Sequence, residues 1–268
     1  MRPSMRLRFM QFRFLPGMLL AALPVFAQLS APNAAGVSAG HDIFTFKDPE
    51  AATKFWTALG GEPATLGPLK LTKFPGMLFY YPRAGNPTGG TEGSSIDYIG
   101  FKVKSLKDTL AKLEPVGGKL MPGATATQAF VMGPDDVKIR LTEDRSLNTP
   151  VAADMIDMVV PDVAAAQAWY EKNFGAKLVK RGGEMLADIP GENILFTQAI
   201  SPVAPTKGRA FDRIGLEVKN VEETCKAVGG SNVNRANKEK SGMDLAVCTL
   251  TDPWGTFIEI SQGLAAVK

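Results

Sequence analysis

From residue 41 onward the apolar positions change period in a fixed order. His41-Asp-Ile-Phe-Thr-Phe-Lys-Asp48 alternates as a strand does, and Ala52, Phe55 and Leu59 then fall on one helical face. Asp48 offers an N-cap, Pro49 the first helical position and Gly60-Gly61 a stop, so a helix is predicted from 49 to 59. Short β-rich stretches broken by Gly and Pro follow, at Leu69–Phe74 and Met77–Tyr81.

The same order then returns. Met155-Ile-Asp-Met-Val-Val-Pro-Asp162 leads into an apolar helical pattern over Val163–Phe174 and a stop at Gly175. Asp48 and Asp162, Phe55-Trp56 and Trp169-Tyr170, and Gly61 and Gly175 share one offset. Asp97-Tyr-Ile-Gly-Phe-Lys-Val103 matches Asp212-Arg-Ile-Gly-Leu-Glu-Val218. Each is followed by a short helix, Leu106–Val116 or Val221–Val228, a Gly-Gly, and a closing strand after Pro134 or Pro253. Matching segments in one order along the chain indicate a duplication. The predicted class is α+β, with a βαβββ module used four times, two per copy.

The first 27 residues differ in kind. Arg2, Arg6, Arg8 and Arg13 precede an apolar run from Leu15 to Phe26, and Val25-Phe26-Ala27 has the small-x-small form of a cleavage site. A signal peptide over 1–27 is expected, cut after Ala27, with the mature protein periplasmic or secreted and no membrane anchor kept. Residues 28–39 are small and polar and read as a flexible leader. The net charge of +3 includes the four arginines of the signal, so the mature chain is near −1 and lacks the basic excess that nucleic-acid partners require. Cys225 and Cys248 can pair in an oxidising compartment, or stand as two buried thiols.

These motifs resemble those of the vicinal-oxygen-chelate superfamily, which takes in glyoxalase I, bleomycin- and fosfomycin-resistance proteins, extradiol dioxygenases and epimerases. The resemblance rests on the His41–Asp48 strand before an aromatic-bearing helix, the Asp-x-Ile-Gly strands at Asp97–Val103 and Asp212–Val218, and the closing Asp252-Pro-Trp-Gly-Thr-Phe-Ile-Glu259. It implies two glyoxalase-like domains, 40–145 and 152–263, joined by a linker at 146–151 and followed by a tail at 264–268. It implies cupped, mostly antiparallel sheets holding a divalent metal: Zn, Ni, Mn or Fe. The ligands would come from the first strand, the mid-domain strand and the Glu of the closing strand.

Those positions hold His41, Tyr98 and Arg140 in the first copy and Met155, Arg213 and Glu259 in the second. The chain has one His, so neither copy carries two His and a carboxylate. Arginine at a ligand position repels a dication. A metal site survives only where modules of different domains share it, through His41 and Glu259, with Arg213 in the same cup. Arg213 could instead take the metal's place, pairing with Glu259 or with an anionic ligand. Strand alternation turns Tyr98, Arg140, Asp157, Arg213 and Glu217 toward the cups as candidate ligand-binding residues. The same charges also fit an ion-pair network in a retired site. Trp56, Phe74 and Phe79 read as core, with Tyr80 or Tyr81 able to line the first cup. Gly89–Gly93 reads as a flexible loop at the rim. No G-x-S-x-G elbow, P-loop or Cys/His nucleophile pair is present. Three functions stay open. One is an exported binding protein for a small organic molecule, monomeric or homodimeric. The second is a metal-dependent lyase, isomerase or dioxygenase with a shared site. The third is a non-catalytic structural or interaction pair of domains.

Overall fold

The computed structural model describes residues 29–267; the expected signal peptide lies outside the described residues. The first module contains β1 (Val37–Phe44), α1 (Pro49–Leu59), β2 (Glu62–Leu66), β3 (Leu69–Phe74) and β4 (Met77–Tyr80). The second contains β5 (Ile96–Val103), α2 (Leu106–Leu113), β6 (Lys119–Leu120), β7 (Gln128–Met132) and β8 (Lys138–Glu143). The third contains β9 (Val151–Val160), α3 (Val163–Phe174), β10 (Lys177–Arg181), β11 (Glu184–Ile189) and β12 (Glu192–Gln198). The fourth contains β13 (Phe211–Val218), α4 (Val221–Ala227), β14 (Asn234–Arg235), α5 (Lys238–Ser241), β15 (Ala246–Thr251) and β16 (Phe257–Gln262).

Local chemistry sets the helices. The Asp48 carboxylate accepts from the amides of Glu50 and Ala51, and Asp162 does the same for Ala165. α1 ends at Gly60 in the left-handed region, and its buried face is Ala52, Phe55, Trp56 and Leu59. Phe44, Phe46, Trp56, Phe74 and Phe79 pack together beneath the first sheet.

The sheets do not follow the sequence copies. One runs β14-β15-β16-β13-β1-β4-β3-β2 and joins the first module to the fourth. The other runs β10-β11-β12-β9-β5-β8-β7-β6 and joins the second to the third. The assignment of His41, Tyr98 and Arg140 to one cup is therefore corrected: His41 lies in the first sheet, and Tyr98 and Arg140 lie in the second. All four modules carry the same apolar alternation, so pattern alone does not choose partners. Connection length does. The short link over residues 144–150 sets β9 beside β5, whereas residues 81–95 and 199–210 are long enough to cross between sheets.

Those two long connectors are zipped together. Ser95 donates its amide to the carbonyl of Ala204, and Thr88 and Ala210 bond to Gly208 and Gly89. The Gly89–Gly93 stretch is pinned rather than flexible. Arg209 donates to the carbonyls of Gly90 and Glu92, Thr91 is fully buried, and a Cβ on Gly90 would lie 2.1 Å from the Asp136 carbonyl oxygen.

Both ends of the described chain are also more ordered than their composition predicts. Val37–Gly40 extend β1 against β13, and the Asn33 side chain bonds the carbonyls of Phe174 and Gly175 at the end of α3. Gly40, just past the predicted leader, lets this strand lie close to β13: a Cβ there would meet Glu217 at 3.1 Å. At the other end Leu264 is buried and is no free tail. Cys225 on α4 and Cys248 on β15 are joined as a disulfide, with Cα atoms 6.3 Å apart.

Candidate functional site

Four strands form the floor of the first cup. β1 and β13 run antiparallel, with His41 opposite Gly215 and Ile43 opposite Arg213. β4 and β16 flank them in parallel, placing Tyr80 beside Ile43 and Glu259 beside Gly215. A local two-fold between β1 and β13 thus relates His41 to Arg213 and Tyr80 to Glu259. These four are one ring of equivalent positions, drawn from the first and last modules of the chain.

The His41 imidazole lies across Gly215. A Cβ there would fall 2.3 Å from the ring, so the glycine of the Asp-x-Ile-Gly motif makes the space the histidine occupies. His41 Nε2 and Glu259 Oε1 are 2.9 Å apart, and Arg213 Nη1 donates to Glu259 Oε2 at 3.0 Å. Arg213 Nε in turn donates to Asp212 at 2.6 Å, and its guanidinium stacks over the Phe257 ring. Burial favours protonating Glu259, but His41 and Arg213 outweigh it and hold the carboxyl below its usual range. Burial, then the charge of Glu259, pushes the Tyr80 phenol up against a weaker opposing pull from Arg83, so it remains a hydroxyl donor. His41 Nδ1 is buried without a partner.

Over this floor is a cavity of about 50 Å³, lined by His41, Tyr80, Glu259 and Ser261 on the polar side and by leucines such as Leu71, Leu78 and Leu264 on the other. Leu69, Leu71 and Tyr80 also line a groove of about 880 Å³ that opens where β3 and the residues after β4 part, beside the first turns of α1.

The second cup has the same register with other residues. Met155 takes the place of His41, Tyr98 that of Arg213, Leu195 that of Tyr80 and Arg140 that of Glu259. Arg140 donates to the Tyr98 hydroxyl at 2.8 Å and to Glu184 at 3.1 Å. Lys138 bonds Asp97 at 2.8 Å, and the Asp157 carboxylate accepts from Thr197 at 2.6 Å. Burial, helped by the charge of Asp97, pushes Asp157 up to about 6 against the pull of Thr197, Arg140 and Lys138. This cup is filled by its own network.

Of the candidates read from sequence, the structure thus brings His41, Arg213 and Glu259 together and sets Tyr98, Arg140 and Asp157 together elsewhere. Glu217 joins neither group. Its carboxylate accepts from the amides of Gly263 and Leu264 and from the Ser261 hydroxyl. Sequence reasoning missed Leu264, Thr197 and Glu184. Only Leu264 leaves a signal, as the largest apolar residue in the tail Leu264-Ala-Ala-Val-Lys268.

Residues 152–260 match the model of the Glyoxalase/Bleomycin resistance protein/Dioxygenase superfamily. The match assigns that domain, and not the rest of the chain, to the superfamily. Glyoxalase I from Zea mays superposes with a TM-score of 0.65 at 15% identity, over 85% of this chain and 93% of the maize chain. A candidate dioxygenase from Bacillus subtilis gives 0.61 at 13% identity, over 90% and 88% of the two chains. At these identities the likeness is one of fold, and it extends that fold to the half of the chain outside the matched domain. No curated protein matches the chain in sequence.

The divalent ion that the superfamily resemblance implies does not fit the residues in either cup. The first ring offers one imidazole and one carboxylate beside a phenol and a guanidinium. Both Glu259 oxygens and His41 Nε2 are already engaged with each other and with Arg213. A cation would have to sit a few ångströms from Arg213, where like charges repel. Among the described residues no three His, Cys, Asp or Glu side chains are grouped to hold a metal.

Proposed function

We propose that this is an exported member of the superfamily that binds a small organic molecule in the cup shared by its first and fourth modules, with Arg213 doing there what a metal does in metal-dependent relatives. One observation carries the proposal: Arg213 occupies a ring position and is bonded to Glu259, which is bonded to His41. Of that chain, His41 and Glu259 line the cavity, and Arg213 is bonded to Glu259 where a resident ion would otherwise balance its charge. The protonated Tyr80 supplies a bond to a carbonyl, hydroxyl or carboxylate, and the leucine wall takes an apolar body. Export is supported by the arginine-rich, apolar and Ala27-terminated start of the sequence.

The test is a thermal-shift screen of small keto, hydroxy and carboxylic acids on the mature protein. A true ligand at about 100 times its Kd adds about 2.7 kcal/mol, roughly 5–10 °C for a chain of this size. The shift is expected to vanish in Glu259→Gln and to shrink in Tyr80→Phe. Hits that bind both variants as well as wild type would place the ligand elsewhere and overturn the proposal.

A further inference from the structure

The cavity over His41 holds no more than a few waters, yet the groove beside it is many times larger. What separates the cup from solvent on its far side is a piece of the chain itself. After β16 the backbone turns at Gly263, whose φ of 124° belongs to glycine and whose Cβ would sit 2.1 Å from the Asp244 carbonyl oxygen. Leu264 then drops into the cup. It is 6% exposed, lines the cavity with His41 and Glu259, and packs against Gly40, next to the histidine. Glu217 latches this turn. Its Oε1 accepts from the amides of Gly263 at 2.7 Å and Leu264 at 3.0 Å, while Oε2 accepts from Ser261 at 2.7 Å. In the second cup the residues after β8 instead turn through the 144–150 link and reverse into β9.

We propose that Gly263–Val267 is a built-in stopper, with Leu264 seated in the subsite that takes the ligand's own apolar group. The inference rests on the cup being the ligand site, and it narrows the ligand to one carrying a branched aliphatic or small aromatic group beside its polar head. Binding requires the segment to swing out about Gly263, which breaks the Glu217 latch and uncovers His41. Local openings of this kind cost far less than global unfolding and set access to what lies beneath.

His41 is the chain's single histidine, so its reactivity reports the opening directly. Full-length mature protein is treated with diethyl pyrocarbonate and the carbethoxyl adduct on the histidine is followed by mass spectrometry. Wild type is expected to react slowly. Leu264→Ala and Glu217→Ala are each expected to react at least about tenfold faster, the change that follows when opening becomes about 1.4 kcal/mol easier. Circular dichroism confirms that the variants are folded. Fast modification of wild type, or an unchanged rate in both folded variants, overturns the stopper. A parallel titration with 1-anilinonaphthalene-8-sulfonate separates the two proposals. A faster histidine reaction with tighter dye binding supports both, and a faster reaction with no dye binding keeps the stopper and sinks the ligand site.

Discussion

Asp157 gives the sharpest prediction of pH dependence. It sits on β9 with 4% of its surface exposed, and its carboxyl is pushed up to about 6, chiefly by burial and secondarily by Asp97. Set against an ordinary value of 3.8, a carboxyl titrating at about 6 corresponds to about 3 kcal/mol. The folded pKa lies above the unfolded one, so the neutral acid is the stabilising form. Its contribution is complete below the unfolded pKa and is lost as pH rises through the folded value near 6. Asp157→Asn keeps the volume and the acceptor for Thr197 but cannot ionise. Thermal melts of both proteins at about pH 4 and pH 7 isolate this residue from the other carboxyls, because only the difference between variant and wild type is read. The variant is expected to gain roughly 2 kcal/mol on wild type across that interval, or about 4–8 °C. Parallel curves for the two proteins would refute the claim that buried Asp157 is held in a cup too dry for its charge.

Other perturbations address the first cup and its supports. Gly215→Ala puts a methyl 2.3 Å from the His41 ring and 2.4 Å from its backbone oxygen, so a loss of about 1–3 kcal/mol is expected in urea unfolding. A neutral result would mean the ring does not lie across the glycine. Glu259→Gln removes the charge between His41 and Arg213. Because Arg213 keeps Asp212 and is a quarter exposed, the expected loss is about 1–3 kcal/mol, below that for a fully buried broken pair. A double-mutant cycle with Arg213→Met checks the coupling. Replacing Cys225 and Cys248 together by serine opens a loop of 23 residues and should cost about 3 kcal/mol, read as a lower denaturant midpoint that reductant no longer changes.

Most of the fold is legible in the sequence, because Asp48, Asp162 and the glycines after each helix act locally and the strand alternation is regular. The pairing of modules is not. His41 is tied to Glu259 by the lengths of connectors that carry no chemistry of their own, and the apolar strands β5, β9 and β13 look alike as partners for β1. Within the site, the residue types at the ring were readable once the Asp-x-Ile-Gly strands were aligned. The roles of Glu217 and Leu264 were not. Alternation turns Glu217 toward the cup but does not say that a backbone turn from another strand end will consume its carboxylate. Thr197 was invisible for a related reason, since β12 reaches Asp157 only through a parallel pairing across the module.

In the proposed function, one cup shared by the first and fourth modules works through a His41–Glu259–Arg213 chain and holds no resident metal. Elemental analysis of the protein lacking residues 1–27 is the test, after incubation with Zn, Ni, Mn and Fe(II) salts and removal of the excess. The expected content is well below one equivalent of any of them, and the same in wild type, His41→Ala and Glu259→Ala. One equivalent of metal in wild type, lost in both variants, would instead restore a metal centre at this ring.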